Sequence, residues 1–325
     1  MPTDRPARDA GRRLTRRAFV TAAAGSAALL AGCVPLGGSS DPEPEPVLPW
    51  LTVVATTPVL ADLVRAIGGS RVEVRSMMPP SADPRRFVPE PEAGDVFIGA
   101  KLIVQHGLGL EPGLQGLLDA GAADVPLAVA TGTVPPDQLI TRASGAPDPY
   151  LWHDPALIPP IVSRVLQSLR DVDGDARHQA AYDRNSEVFL NQVALADAYL
   201  TRRLALVPDD RRLLATANDT FAYLARRFGF ATSALLTDDV PFPTDVDVGR
   251  FADALLARRP VAAFLDASLS PTALQDAILR AAADGPIIPI GGMLYGAGLG
   301  QGDTYQGRYL GMVRRNADRI VLALR

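Results

Sequence analysis

The stretch that decides the fold is ARHQAAYDRNSEVFLNQVALADAYLTRRLALV, residues 176–207. It contains no proline or glycine, and apolar residues recur in it at helical spacing, at Tyr182, Phe189, Val193, Ala196 and Leu200. A helix of these 32 residues would be about 48 Å long. Because that length exceeds the need of a single small domain, the pattern predicts a rigid helix that connects two lobes.

Short apolar runs and helical patterns alternate on both sides of this stretch. Before it we predict strands at 51–56, 72–77, 96–100 and 102–105, and helices at 58–67 and 157–171. After it we predict strands at 213–216, 261–265 and 287–290, and helices at 220–227, 271–283 and 309–324. Alternation of this kind favours parallel α/β sheets. The predicted fold class is therefore α/β, with two α/β lobes joined by one long rigid helix.

The predicted organisation has five parts. They are a signal peptide (1–32), a Pro/Glu-rich tether (33–49), a first α/β lobe (50–172), the connecting helix (173–207) and a second α/β lobe (208–325). Ligands of open α/β sheets bind at the carboxyl ends of the strands. Two facing lobes would place those ends around a shared cleft.

The N-terminal segment has the order of an export signal. Arg16 and Arg17 precede an apolar run, residues 18–31, whose 14 residues fall short of the ~20 that span a bilayer. The paired arginines indicate the twin-arginine route. Leu-Ala-Gly before Cys33 resembles the cleavage box of bacterial lipoproteins, in which the cysteine is diacylated, with palmitate as a typical chain. We therefore predict that Cys33 is lipidated and anchors the protein on the extracytoplasmic face of the membrane.

Composition and motifs exclude several classes of protein. The net charge of −4 argues against a nucleic-acid partner. A single cysteine rules out an intramolecular disulfide and a Cys-rich zinc site. The sequence has neither a Gly-x-Ser-x-Gly elbow nor a His-Glu-x-x-His motif. We therefore predict that the protein is not an enzyme.

Six segments within residues 50–325 resemble the zinc- and manganese-type solute-binding lipoproteins of bacterial ABC importers. They are VVATTPVL (53–60), ADP (82–84), GLGLEP (107–112), LWHDP (151–155), DTFAY (219–223) and YLGMVRRN (309–316). The resemblance implies two α/β lobes bridged by a rigid helix, with zinc or manganese held between them. It also implies delivery of the solute to a membrane permease that is driven by a cytoplasmic ATPase.

The positions that match the family's four metal ligands carry other residues here. They are Arg85, Tyr150, Asn218 and, in the segment 291–293, Gly292. Divalent zinc and manganese favour imidazole, thiolate and carboxylate ligands. A guanidinium is always protonated and has no lone pair to donate. We therefore assign no metal ligand from the sequence, although the resemblance implies zinc or manganese.

Other residues near the predicted cleft leave two arrangements open. The candidates are His153, Asp154, Asp219, Asp266 and Met293. The carboxylates could join Tyr150 and His153 around a hard cation, or they could pair with Arg85 and close an empty cleft. For His153 we expect a structural hydrogen bond to the backbone or to Asp154. We expect His106 and His178 to be surface or capping residues.

The replaced residues support two functional hypotheses. Arginine binds carboxylates and phosphates well, and the glycines between 291 and 300 would let backbone approach a larger ligand. The first hypothesis is a substrate-binding protein of a metal-type ABC importer whose ligand is a chelated metal or an anionic solute. The alternative is a non-transporting adhesion or interaction lipoprotein that keeps the scaffold and contacts cell-surface proteins.

Overall fold

The computed structural model describes residues 51–121, 124–237 and 242–325, which belong to one compact unit. The predicted signal peptide, Cys33 and the tether lie outside these residues. Within the described ranges, no helix is long and apolar enough to cross a membrane.

The first lobe is built on a parallel sheet of four strands. They are β1 (Leu51–Ala55), β2 (Val72–Ser76), β3 (Leu102–Gln105) and β4 (Leu127–Val129), in the order β2-β1-β3-β4. Its helices are α1 (Pro58–Gly68), α2 (Gln115–Gly121) and α3 (Ile158–Val172). Helix α1 begins where the sequence predicts, because Thr57 accepts a hydrogen bond from the Leu60 N–H (3.2 Å) and Pro58 occupies the first turn.

The second lobe repeats this arrangement. Its parallel strands are β5 (Leu213–Asn218), β6 (Ala231–Leu236), β7 (Ala263–Asp266) and β8 (Ile290–Leu294), in the order β6-β5-β7-β8. Its helices are α5 (Ala222–Phe228), α6 (Asp245–Arg258), α7 (Thr272–Asp284) and α8 (Tyr309–Leu324).

The long connecting helix is confirmed as α4, Ala176–Leu204. It begins at Asp175, whose carboxylate accepts the Arg177 N–H (2.8 Å). All five apolar residues that predicted it are buried. The helix packs against α1 and α3 of the first lobe and against α8 of the second. One hydrophobic cluster therefore includes α4 and residues of both lobes.

Some predicted elements are wrong or incomplete. Residues 96–100 are not a strand; a 3-10 helix, Pro91–Phe97, covers part of them, and Ile98, which follows it, is 70% exposed. The last strand lies three residues later than predicted, at Ile290–Leu294, because proline at 289 cannot donate to the ladder. Strands β4 and β6 and helix α6 were not predicted. The capping box of Thr244 and Asp247 marks the start of α6 and is a signal that sequence reasoning can use.

Helix α8 is fastened by two buried polar side chains. The Asn316 amide accepts the Tyr295 N–H and donates to the Tyr295 C=O, both at 2.9 Å. Asp62 of α1 accepts the Tyr309 N–H (2.7 Å) and pairs with Arg308 (3.2 Å). These contacts fix α8 against β8 and against the first lobe.

Replacing Asn316 with leucine should destabilise the protein strongly. Both backbone groups of Tyr295 would lose their partner, and each unsatisfied buried group costs about 1–3 kcal/mol. We expect Asn316→Leu to lower the free energy of unfolding by about 2–4 kcal/mol in urea titrations. Leu322→Ala, at a 72% exposed position of the same helix, is the control and should change it by less than about 0.5 kcal/mol. Equal losses in the two variants would contradict this role of Asn316.

Candidate functional site

The candidate site lies where loops at the carboxyl ends of the two sheets meet. Leu299 of the second lobe donates its N–H to the Pro80 C=O of the first lobe (2.8 Å). Gly298 lies so close to this loop that a Cβ atom would come within 2.5 Å of the Pro80 oxygen. Only glycine allows this approach. The two loops therefore meet through their backbones.

Arg85 bridges the two lobes. Its Nη2 lies 3.0 Å from Asp219 Oδ1, and its guanidinium carbon lies 4.9 Å from the centre of the Tyr150 ring. Burial alone would lower the pKa of this guanidinium, but contact with the Tyr150 ring and the negative charges of Asp219 and Asp83 raise it. Arg85 therefore stays charged and holds Asp219. The sequence left two arrangements open, and the structure has the one in which a cleft carboxylate pairs with Arg85.

A second arginine of the first lobe also faces Asp219. Arg142 Nη1 lies 3.7 Å from Asp219 Oδ2, and its Nη2 lies 3.3 Å from Asp148 Oδ2. Asp219 is thus held between two guanidinium groups. Sequence reasoning missed Arg142 and Asp148, because neither belongs to a recognisable motif. The only signal was the position of Asp148 two residues before Tyr150.

Tyr150 is fully buried and acts as a hydrogen-bond donor. Its hydroxyl donates to Asp83 Oδ1 (3.2 Å), and its backbone N–H donates to Asp148 Oδ1 (2.8 Å). Burial raises the pKa of the phenol well above 10. The hydroxyl therefore stays protonated and cannot serve as an anionic metal ligand.

Asn218 and Asp266 end neighbouring strands of the second lobe. The Asn218 oxygen accepts the Thr220 hydroxyl (2.9 Å), whereas its Nδ2 is buried without a hydrogen-bond partner. Asp266 accepts the N–H groups of Ser268 (2.8 Å) and Gly296 (3.0 Å). Burial raises the pKa of Asp266 to about 6. Both carboxylate oxygens of Asp266 thus accept hydrogen bonds from loops of the second lobe.

His153 has the backbone hydrogen bond that the sequence predicts. Its Nε2 donates to the Gly296 C=O (2.8 Å), which also accepts the Trp152 indole N–H (3.2 Å). Burial lowers the pKa of His153 to about 4, so the ring is neutral. Asp154 caps the next turn by accepting the Ala156 N–H (3.0 Å). These residues hold the cleft loops in place.

The expectation that the other two histidines lie at the surface is wrong. His106 is 1% exposed, and its Nε2 donates to the Pro149 C=O (2.8 Å). His178 is 7% exposed and lies 3.0 Å from Asp173. The bond of His106 is a tertiary contact that local sequence does not show, whereas His178 bonds a carboxylate only five residues before it in the chain.

The structure does not bring Gly292 and Met293 into the cleft. Both lie within strand β8; a Cβ atom on Gly292 would meet Arg319 of α8, and Met293 is 45% exposed. The matching of Gly292 to a ligand position is therefore corrected. Because β8 continues to Leu294, the part of this segment that reaches the other cleft residues is 296–299.

The donor set of the cleft does not fit a bare divalent cation. A charged guanidinium, a protonated phenol and an amide occupy the positions that resemble ligand positions. Among the residues that the structure describes, no three His, Cys, Asp or Glu side chains could together hold a metal ion. The carboxylates that do reach the cleft are committed to arginines or to backbone N–H groups.

Known proteins resemble this chain over most of its length. The family model of the periplasmic zinc-uptake complex component A (ZnuA) matches residues 53–323. The zinc-binding protein TroA of Treponema pallidum is 30% identical over 279 residues, 84% of this chain and 88% of that protein. The manganese-binding lipoprotein MntA of Bacillus subtilis is 28% identical over 278 residues, 85% of this chain and 90% of that protein.

Solved structures show the same similarity as the sequences. A structure of the Treponema pallidum TroA protein superimposes with a TM-score of 0.80 at 27% identity and covers 84% of this chain and 99% of that one. The iron ABC transporter substrate-binding lipoprotein MtsA of Streptococcus pyogenes is 22% identical over 232 residues, 67% of this chain and 73% of that protein. These relatives are solute-binding proteins and not enzymes. This chain belongs to the ZnuA/TroA family of zinc- and manganese-type solute-binding proteins and has its fold of two parallel-sheet lobes joined by a long helix.

Proposed function

We propose that this protein is a lipid-anchored, extracytoplasmic substrate-binding component of a metal-type ABC importer that does not capture a bare divalent cation. The observation that carries this proposal is the contact of Arg85 with Asp219 (3.0 Å). A fixed guanidinium takes the place of a metal between the lobes. The permease and ATPase of the importer are the partners that follow from this role.

Electrostatics argue against zinc or manganese in this cleft. A dication bound to the Asp219 carboxylate would lie within about 5 Å of the Arg85 guanidinium. At that distance the repulsion is on the order of 7 kcal/mol for an effective dielectric constant of about 20. A loss of that size would reduce a metal affinity by about five orders of magnitude. A charged Arg85 and a bound dication therefore exclude each other.

A ligand with an organic shell or a negative charge avoids this repulsion. Arg85 and Tyr150 are donors, and the buried Asn218 Nδ2 lacks a partner that such a ligand could supply. A chelated metal would bring its own ligand atoms, and an anionic solute would replace Asp219 at the two arginines. These two solute classes remain the candidates for the cleft.

The alternative is an adhesion or interaction lipoprotein that no longer transports a solute. The observation in its favour is that the protein's own groups connect the lobes. Besides the Arg85 pair, the Tyr223 hydroxyl of the second lobe donates to the Asp148 C=O (2.8 Å) and accepts the Ile140 N–H (3.1 Å). In this case the partners would be cell-surface proteins.

The N-terminal part of the proposal concerns delivery and anchoring. Residues 1–32 are the proposed twin-arginine signal peptide, and residues 33–49 are a tether from the lipidated Cys33. Prolines and repelling carboxylates would keep this tether extended. The folded lobes would then stand off the outer face of the membrane.

The metal part of the proposal is tested by thermal unfolding of metal-stripped protein with excess Zn²⁺ or Mn²⁺. We expect no shift of the melting temperature for the wild type. The variant Arg85→His/Tyr150→His/Asn218→His places imidazoles at the three positions and should gain affinity. At 100-fold over Kd, binding adds about 2.7 kcal/mol, which is roughly 5 °C for a protein of this size. A wild-type shift of that size would overturn the proposal.

The anchor is tested by replacing the only cysteine. Without the thiol no thioether to lipid can form, so Cys33→Ser should release the protein from washed membranes into the soluble fraction. Ser39→Ala, a change in the same segment that leaves the thiol in place, is the control and should stay with the membrane. Retention of Cys33→Ser on membranes would contradict lipid anchoring.

The importer role is distinguished from the adhesion alternative by photo-crosslinking in native membranes. Val88 of the first lobe and Val246 of the second are 80% and 76% exposed; Val88 lies three residues after Arg85, and Val246 lies at the start of α6. A photo-reactive residue at either position should crosslink to an ABC permease subunit. The control position is Leu195 of α4, which is 65% exposed. Crosslinks from Val88 and Val246 to a cell-surface protein alone would favour the alternative.

A further inference from the structure

We infer that the solute of this protein binds in a cavity of about 630 Å³, which lies beside the contact of Arg85 with Asp219. This solute is an uncharged, largely apolar organic molecule. The cavity, here called the β5–β6 cavity, lies between the ends of those two strands and helices α6 and α7. The inference rests on the proposed role as a solute receptor. Of the two solute classes proposed above, an uncharged metal chelate with an apolar organic shell fits it, and an anionic solute does not.

The location of the β5–β6 cavity is that of a solute site. Ala217 of β5 and Leu236 of β6 line it at the carboxyl ends of their strands, where open α/β sheets bind ligands. Arg86 of the first lobe lines it as well. A molecule in the cavity would therefore contact both lobes, next to Arg85 and Asn218 but outside the contact of Arg85 with Asp219.

The size and walls of the cavity fit an apolar organic molecule. Its volume lies within the range of about 300–1,000 Å³ that is typical of small-molecule sites. Buried leucine and valine side chains form its floor: Leu235, Leu236, Val248 and Leu274. Phe242, at the rim, leaves 72% of its surface exposed. Transfer of apolar surface from water onto these walls supplies about 25 cal/mol per Å².

The charges at the cavity argue for an uncharged solute. Two arginines and two aspartates line it: Arg86, Arg280, Asp245 and Asp276. Arg86 is held by Asp83 (2.5 Å) and Arg280 by Asp245. Asp276 also interacts electrostatically with Arg280, so a ligand with a net charge would have to compete with one of these contacts. Hydroxyl groups at the rim, Ser270 and Thr272 at 3.0 Å from each other, can instead bond a ligand hydroxyl or carbonyl.

The test is a titration of the protein with Nile red, an uncharged dye whose fluorescence rises in apolar surroundings. We expect saturable binding of one dye per protein. Ser270→Trp places an indole at the rim of the cavity and should weaken binding at least tenfold. Leu279→Trp is the matched control, since this residue of α7 is 70% exposed and does not line the cavity; it should bind as the wild type does. The anionic dye 1-anilinonaphthalene-8-sulfonate should bind at least tenfold more weakly than Nile red.

Three results would overturn the inference: no saturable binding of Nile red, unchanged affinity in Ser270→Trp, or tighter binding of the anionic dye. Ala273→Trp fills the cavity from another wall residue and should also weaken the binding of Nile red. Circular dichroism melting curves show whether each variant is folded. The photo-crosslinking experiment does not depend on these results. Dye binding without a permease crosslink would refute the importer role alone, and a permease crosslink without dye binding would refute the cavity alone.

Discussion

The contact between the Arg85 guanidinium and the Asp219 carboxylate is the constraint on which the cleft depends. It joins a loop of the first lobe to the end of β5 in the second, and only 14% of the Arg85 side chain is exposed. A pair of this kind is costly to break, because two partly buried charges would each lose a neutralising partner. The same contact that draws the lobes together thus removes the free carboxylate that a bound cation would need.

The surrounding residues are arranged to support this pair. Tyr150 lies under the guanidinium and remains neutral because it is buried, so its ring offers a π face without adding a second negative charge. Arg142 approaches Asp219 from the other side and is itself held by Asp148. The backbone contact of Gly298 with Pro80 requires the lobes to be this close. Charge, ring and backbone contacts therefore all favour the same closed arrangement.

Much of the fold could be predicted from the sequence, but less of the site. Helix α4 was predictable because its apolar residues repeat at helical spacing over the whole length. The pairing of Arg85 with a cleft carboxylate was one of two arrangements that the charges left open. The roles of Arg142 and His106 were not predictable, because each depends on partners far away in the chain, such as Asp219 and Pro149. The sequence matched Gly292 to a cleft position wrongly, because several glycines follow one another in this segment and the sequence does not show which of them aligns with the ligand position. The end of strand β8 determines which glycine reaches the cleft.

Most of the contacts that hold the fold together lie away from the cleft. Helix α4 and Asp62 join the two lobes through apolar packing and a backbone hydrogen bond, and Asn316 fixes α8 within the second lobe. Of the positions that resemble metal ligands, Arg85 lies in a loop and Asn218 ends β5, whereas Tyr150 is part of the hydrophobic core. An ion pair between two lobes can make a contact that a metal between them would otherwise make. Arg85 and Asp219 form such a pair here, so the family's fold is compatible with a cleft whose donor set does not fit a bare divalent cation.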